Sequence, residues 1–386
     1  MRSDQSVGSL VSCRTAAVLA VTCVACAVQP TEDADGMGPS VVAIDSFRLE
    51  EVDTLYIGNP YTPVIDRFDG SVYIPDIFSR RVLRYARDGR LMQVIGGPGS
   101  GPGEFRSAEA VFVASDSIVG VYDNMLRRLS LFDRASGAFR RSRELSGVAG
   151  TTPPVVRTDG VWFPLVDQNY REPRFAVARS VARWIADRDT VLYLGSMPAE
   201  FSASVEGGFW SYANFLLLGA LAFHERGLIR GWQLKNDLFL LNEAGEVLDT
   251  INIPVRQRNG VPPNIRELLD VHRISQKETL EKFSRLRQLH TLSDGSIVFT
   301  HHDQRVLKLE PVPVLSATVW IGVISADLKR ACVDTKLPVS EEARSMETFH
   351  GDTLFQLDRR IVAGELQTWI RYFTVDTAAC QWIDLQ

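Results

Sequence analysis

The sequence predicts an all-β fold: a six-bladed β-propeller of four-stranded antiparallel blades, with a short helical insertion between the fourth and fifth blades. Three observations predict it. Short apolar or alternating runs recur in sets from about residue 47 to the end, Asp-Gly pairs fall between runs where a tight hairpin needs positive φ, and a glycine-proline connector separates the first two sets. A sheet unit of this size cannot bury its faces alone, so radial stacking of like units is the arrangement that protects its edges.

The first unit is the clearest. Pro63–Asp76 holds two runs around Asp69-Gly70, Arg81–Gly89 holds a third that ends in Asp88-Gly89, and Leu91–Gly96 supplies the fourth. Ala110–Asp123 with Arg128–Asp133 repeats the rhythm, and Val155–Pro164 opens a third unit. Gly219–Trp232 with Asp237–Gly245 makes a fourth, Leu289–Thr300 opens a fifth and Glu347–Asp358 a sixth. The apolar stretch Phe209–Phe223 is too short for a membrane span and contains Ser211 and Asn214, so it reads as a buried inner strand. Two regions break the rhythm. Residues 256–288 carry apolar side chains at helical spacing with charges between them, and Glu310–Leu315 is a proline-stiffened excursion inside the fifth blade. Phe47–Val52 and Cys380–Leu385 compete as the strand that closes the ring.

Between the first and second units, Ile95–Phe105 has glycine spacing but no following Lys-Ser/Thr and no helical pattern, so it is not a phosphate loop. Its Gly-Pro-Gly-Glu-Phe sequence resembles the connector of NHL repeats, which carries the chain from the outer strand of one blade to the inner strand of the next. The resemblance covers Phe68–Asp133; later units keep only the Asp-Gly hairpin and the strand rhythm. It implies a six-bladed propeller, in agreement with the count of units.

The first residues differ in kind. Thr15–Val28 is uncharged, too short to cross a bilayer and suited to a signal peptide, so residues 1–28 read as an export signal and 29–41 as a flexible tether before a propeller over 42–386. Within the signal, Cys23–Cys26 resembles a bacterial lipobox, although Cys23 stands where that motif prefers Leu; lipidation at Cys26 and plain secretion both remain open. Export would leave Cys332 and Cys380 as the remaining thiols. An oxidising compartment invites a bridge between them, while equivalent positions on the diverging outer strands of neighbouring blades argue against one.

A net charge of −5 with 23% charged residues argues against a nucleic-acid binder, which would show a basic stripe. The membrane is expected to matter only through an N-terminal lipid anchor, and the protein is expected to be a monomer. The loops after the second strands share one face and carry Arg80, Arg81, Arg127, Arg128, Lys235, Arg305, Arg359 and Arg360, with Phe78, Tyr170 and Trp232 nearby. Such a rim suits a protein or glycan ligand, anionic groups above all, while the resemblance to NHL repeats implies the alternative of arginines that pack or pair with the strand-end Asp just before the third strand. The favoured reading is an exported binding module at the cell envelope with no cofactor.

The alternative is a metal-dependent propeller enzyme, amidating-lyase-like or lactonase-like, with zinc or calcium in the central channel. Its candidate ligands are His224, His290 and His350, which fall near first hairpins, and its candidate carboxylates are Asp76, Asp123 and Asp358 at the ends of second strands. In NHL repeats an acid at that point finishes the strand and caps the turn. His301 and His302 are neighbours in an extended run and point to opposite faces. There is no Gly-x-Ser-x-Gly elbow to support a serine hydrolase.

Overall fold

The computed structural model describes residues 38–51, 55–145, 147–149, 152–166, 179–198, 218–258, 281–308, 314–338 and 345–385. The export signal, Cys26, most of the tether, Tyr170 and residues 309–313 lie outside them. What is described is a six-bladed propeller of antiparallel sheets.

Blade 1 runs Val64–Ile65, Val72–Asp76, Arg81–Tyr85 and Leu91–Ile95, and blade 2 runs Ala108–Val113, Ile118–Asp123, Arg128–Asp133 and Phe139–Glu144. The Asp-Gly prediction holds in detail. Gly70, Gly89 and Gly295 take φ of 72°, 86° and 86°, while Asp69, Asp88 and Asp294 each accept the backbone N–H two residues on, at 2.8–3.0 Å. In the connector, Pro98 pairs with Phe105, the Glu104 carboxylate caps the Gly101 N–H at 2.7 Å, and Phe105 is buried against Phe132. A side chain at Gly96 would strike the Phe105 ring, so the glycine makes room for that anchor.

Blade 3 has an interrupted inner edge, Val148–Ala149 and Val155–Arg157, both on Gly160–Val166, followed by Arg179–Ile185 and Thr190–Ser196. Blade 4 runs Gly219–His224, Gly227–Trp232, Asp237–Leu241 and Val247–Asn252. The core is a series of apolar seams between neighbouring blades. Phe112 of blade 2, for example, packs edge-on to Phe163 and Trp184 of blade 3. At the end of blade 1 where its first hairpin turns, an ionic stitch joins it to blade 2: Arg134 reaches Asp66 at 2.6 Å and Asp69 at 2.7 Å, and Arg84 reaches Asp69 at 2.6 Å.

Blades 5 and 6 depart from the pattern in length. Blade 5 has Arg285–Thr291, Ile297–Lys308, Val314–Ile324 and Arg330–Lys336, and blade 6 has Met346–His350, Thr353–Val362 and Glu365–Asp376. Their central hairpins are about twice as long as those of blades 1 and 2, and at about 3.4 Å per residue they extend roughly 15 Å further. The fourth strand of blade 6 comes from the other end of the chain, where Ser40–Arg48 pairs antiparallel with Glu365–Asp376. The N-terminal strand therefore closes the ring. Cys380–Leu385 instead turns back to blade 5, where Ile383–Asp384 adds a fifth strand beside Arg330–Lys336.

That return explains the cysteines. Cys380 is not at the outer-strand position equivalent to Cys332, because the N-terminal strand occupies the outer edge of blade 6. It lies in the returning tail, with its Cα 5.7 Å from that of Cys332, and the two form a disulfide.

The helical insertion is not borne out where its span is described. Residues 259–280 lie outside the described set, and after a helical turn at Glu281–Lys282 the chain becomes the inner strand Arg285–Thr291. Within the described residues the misleading signal was the spacing of Phe283 and Leu286. A bulge at Arg287 shifts the register between Leu286 and Gln288, so Leu286 and Leu289 share one face of a strand despite odd spacing, and both pack on blade 4.

Candidate functional site

Antiparallel blades place every second hairpin, and every connector between blades, on one face of the disc. Strand-end aspartates fasten those connectors. Asp76 is fully buried and accepts the Gly58, Asn59 and Phe78 N–H groups at 2.7–3.2 Å; Asp123 likewise accepts from Arg106, Ser107 and Leu126 at 2.7–3.1 Å. Asp358 differs. It is buried 4.0 Å from Arg371, and burial, outweighing Arg371 and Arg360, pushes its carboxyl up.

The rim arginines divide by what they hold. Arg128 donates to the Ser100, Gly101 and Glu104 carbonyls at 2.7–3.1 Å, and Arg359 to the Ile57 and Gly58 carbonyls at 2.7 and 2.8 Å, so both clamp connectors. Arg360 lies 4.4 Å over the Trp369 ring. Arg81 is half-buried opposite Asp76 in the ladder, and Arg127 takes the left-handed turn conformation at φ 47°. Arg80 (φ 55°) and Arg305 are exposed. Trp232 does not reach the rim: it is buried beneath the Arg230 guanidinium at 4.1 Å.

Between these cations lies an apolar feature of which the sequence had pointed only to Phe78. On the connector and second hairpin of blade 1, Tyr56 and Phe78 are half or more exposed with rings 5.9 Å apart, and Met125 projects from the same turn of blade 2. Leu307 is exposed on the long hairpin of blade 5; Ile361, Val362 and Leu366 are exposed at the tip of the one in blade 6, where Ile361 is 69% exposed. Blades 5, 6, 1 and 2 are consecutive in the ring, so these side chains form an arc. The available signal was Ile361–Val362 immediately before Ala363-Gly364, apolar residues beside a turn that ordinarily takes polar ones.

Inside the ring, the inner ends of blades 5 and 6 meet through polar groups. Glu347 is 2.6 Å from His302 and 2.7 Å from the Ser345 hydroxyl, Gln356 donates to Ser345 at 2.9 Å, and Gln288 donates to the Glu347 carbonyl at 2.9 Å. Burial works to raise the Glu347 carboxyl, but His302, Ser345 and Arg287 hold it below the usual range. His301 points to the other face as expected; burial, with Arg258 and His302, pushes it down to about 3, so it is neutral. With His302 and Glu347 both buried, their pair is a structural seam between blades.

The three metal candidates lie on the opposite face. His224 accepts the Arg226 N–H on Nδ1 at 3.2 Å, which fixes the proton on Nε2, and Nε2 donates to the Ala326 carbonyl at 2.7 Å. His290 makes a 2.9 Å bond to the Gly351 carbonyl and stacks on Phe349, and His350 meets Phe355 edge-on. His224 and His290 thus stitch blade 4 to 5 and blade 5 to 6. Among the described residues no three His, Cys, Asp or Glu side chains converge as a metal site.

Glu109, at a bulge in the inner strand of blade 2, titrates unusually. Burial, and to a lesser extent Asp123, push its carboxyl up to about 7 against the hydrogen bonds of Ser107 and Asn124. Between pH 4.5 and about 7 the native state therefore keeps a proton that the unfolded chain gives up, so stability falls as pH rises through that window. Urea unfolding across the window should show that decline, and Glu109→Gln should flatten it.

No family model matches the sequence, and no curated protein matches it. Solved structures do. A member of the DUF4221 family from Bacteroides vulgatus superposes with a TM-score of 0.58 at 11% identity, over 88% of this chain and 99% of that one. A Bacteroides fragilis protein with a provisional description as exported superposes at 0.54 and 9% identity, over 87% of this chain and 95% of that one. Virginiamycin B lyase from Staphylococcus aureus follows at 0.47 and 12% identity, over 87% and 99%. At these identities the first two likenesses support the fold alone.

Proposed function

We propose that this protein is an exported binding module that docks a protein partner bearing acidic groups against its second-hairpin face. The arc of exposed Tyr56, Phe78, Met125, Leu307, Ile361, Val362 and Leu366, interleaved with Arg80 and Arg305, carries the reading. Aromatic and aliphatic anchors beside arginine are what protein interfaces concentrate at their energetic centres, and an exposed apolar series of this extent costs solubility unless it is covered. The metal-dependent alternative is disfavoured because His224 and His290 are engaged in bonds between blades. In this reading the residues before Cys26 act as the signal, Cys26 is the lipid attachment point, and the polar run from it up to strand Ser40–Arg48 is the tether that lets the face reach its partner at the envelope.

Charge reversal at Arg80 and Arg305 should weaken capture of the partner from the organism's envelope fraction and flatten its salt dependence, with the melting temperature nearly unchanged. Phe78→Ala with Ile361→Ala should cost about 2 kcal/mol of affinity. Arg128→Glu and Arg359→Glu should behave differently, lowering the melting temperature because they release connectors. Full capture by the folded R80E/R305E/F78A/I361A protein would remove the loop face from consideration.

A further inference from the structure

On the face opposite the loop face, blades 2 and 3 part around a groove of about 810 Å³. Its origin is local. At this end the inner edge of blade 3 is only Val155–Arg157, followed at once by the Thr158–Asp159 turn, so little side-chain bulk fills the wedge between the two sheets. The floor is apolar: Ala114, Ile118 and Leu131 come from blade 2, and Val156, Val161 and Trp184 from blade 3. The Trp184 ring nitrogen is turned to Asp189 at 3.4 Å.

The walls carry four arginines, Arg67, Arg140, Arg141 and Arg157, against Asp159 and Asp187. Arg140 is engaged by Asp133. The other three are loosely held. Arg67 gives one N–H to the Ala114 carbonyl at 3.1 Å, Arg141 stands 3.7 Å from Asp189, and Arg157 stands 3.4 Å from Asp159 with its plane 4.1 Å over Phe223. A guanidinium has five N–H donors, so each of the three keeps several to offer.

We infer that this groove binds a small amphipathic anion, its apolar body on the floor and its carboxylate or sulfonate head among Arg67, Arg141 and Arg157. The volume is that of a site for an organic molecule rather than an inorganic ion, and planar guanidinium groups pair with such heads through two parallel hydrogen bonds. An apolar floor alone would take a neutral ligand equally well. The three loosely paired arginines select the anion.

The test uses the full-length protein and 8-anilinonaphthalene-1-sulfonate, with decanoate and decanol as competitors. The expected result is saturable fluorescence enhancement that decanoate displaces and decanol does not, weakened about tenfold by R141Q/R157Q, equivalent to about one charged hydrogen bond. Ala114→Trp should abolish it by filling the floor. If that variant unfolds, R141Q/R157Q still decides, because both side chains are exposed. Equal displacement by decanol, or wild-type binding by R141Q/R157Q, would overturn the assignment. The F78A/I361A protein separates the two faces: it should bind the probe as wild type does, and loss of the signal there would mean that the probe reads the loop face.

Discussion

Removing Ser40–Arg48 should abolish the cooperative unfolding of the whole disc. The strand supplies the outer edge of blade 6 while its continuation leads into blade 1, so it ties the last blade to the first through the chain itself. Its contacts are not peripheral. Leu49, immediately after it, is fully buried in the seam between blades 6 and 1 and bonds the Thr368 carbonyl at 2.8 Å; Phe47 packs on Tyr372 at 5.6 Å. The Arg48 carbonyl lies so close to Gly89 that a β-carbon there would stand 1.9 Å from it. Loss of the ladder, of that burial and of ring closure removes on the order of 5–10 kcal/mol, comparable to the whole stability of a folded domain. Calorimetry should show a broad or absent transition, and a synthetic peptide of residues 38–51 should restore it. One sharp transition at the wild-type temperature without the strand would mean that the ring closes otherwise.

Breaking the Cys332–Cys380 bond should lower stability by about 4 kcal/mol, the loop-closure value for a separation of 48 residues. For a chain of this size that is a fall of roughly 5 °C in melting temperature. The returning tail keeps other contacts, since Ile383 pairs with Ala331, the Leu385 N–H reaches the Lys329 carbonyl at 2.7 Å, and Arg330 covers Trp382 at 5.2 Å. Reduction should therefore weaken the disc without unfolding it, and Cys380→Ser should match the reduced wild type. Equal melting with and without reductant would contradict the bridge. Such a bond suits an oxidising compartment, consistent with the signal-like Thr15–Val28.

The blade repeat was legible because its marks are local. Asp69-Gly70 fixes a hairpin by turn chemistry, Asp76 ends a strand and turns to its neighbours, and Gly-Pro-Gly-Glu-Phe at 101–105 anchors a connector through one buried ring. None of these needs distant residues to be recognised. Ring closure was only half legible, for the opposite reason: an N-terminal strand was in view at Phe47–Val52, but its span Ser40–Arg48 was not. Ser40–Arg48 is largely exposed, so it shows no strict alternation of apolar and polar residues, and only its partner Glu365–Asp376 gives it a place. The cysteine pair was hidden behind the same step, because Cys380 reaches Cys332 only once the N-terminal strand has taken the outer edge of blade 6. Periodicity itself misled at Phe283 and Leu286, whose spacing of three reads as helical although Leu286 already lies in the inner strand of blade 5. At the candidate site, the arginines were visible as residues but their division into clamps and free rim was not, since Arg128 and Arg359 differ from Arg80 only in the carbonyls they meet.

Position-specific photo-crosslinking in the producing organism reads out docking on the second-hairpin face itself. With a photoreactive amino acid at Phe78, at Ile361, or at the exposed outer-strand residue Leu248 as control, the account predicts one common partner crosslinked from Phe78 and Ile361, lost in the R80E/R305E background and absent from Leu248. A partner crosslinked as strongly from Leu248, or none from the arc while wild-type capture persists, would contradict docking on the second-hairpin face.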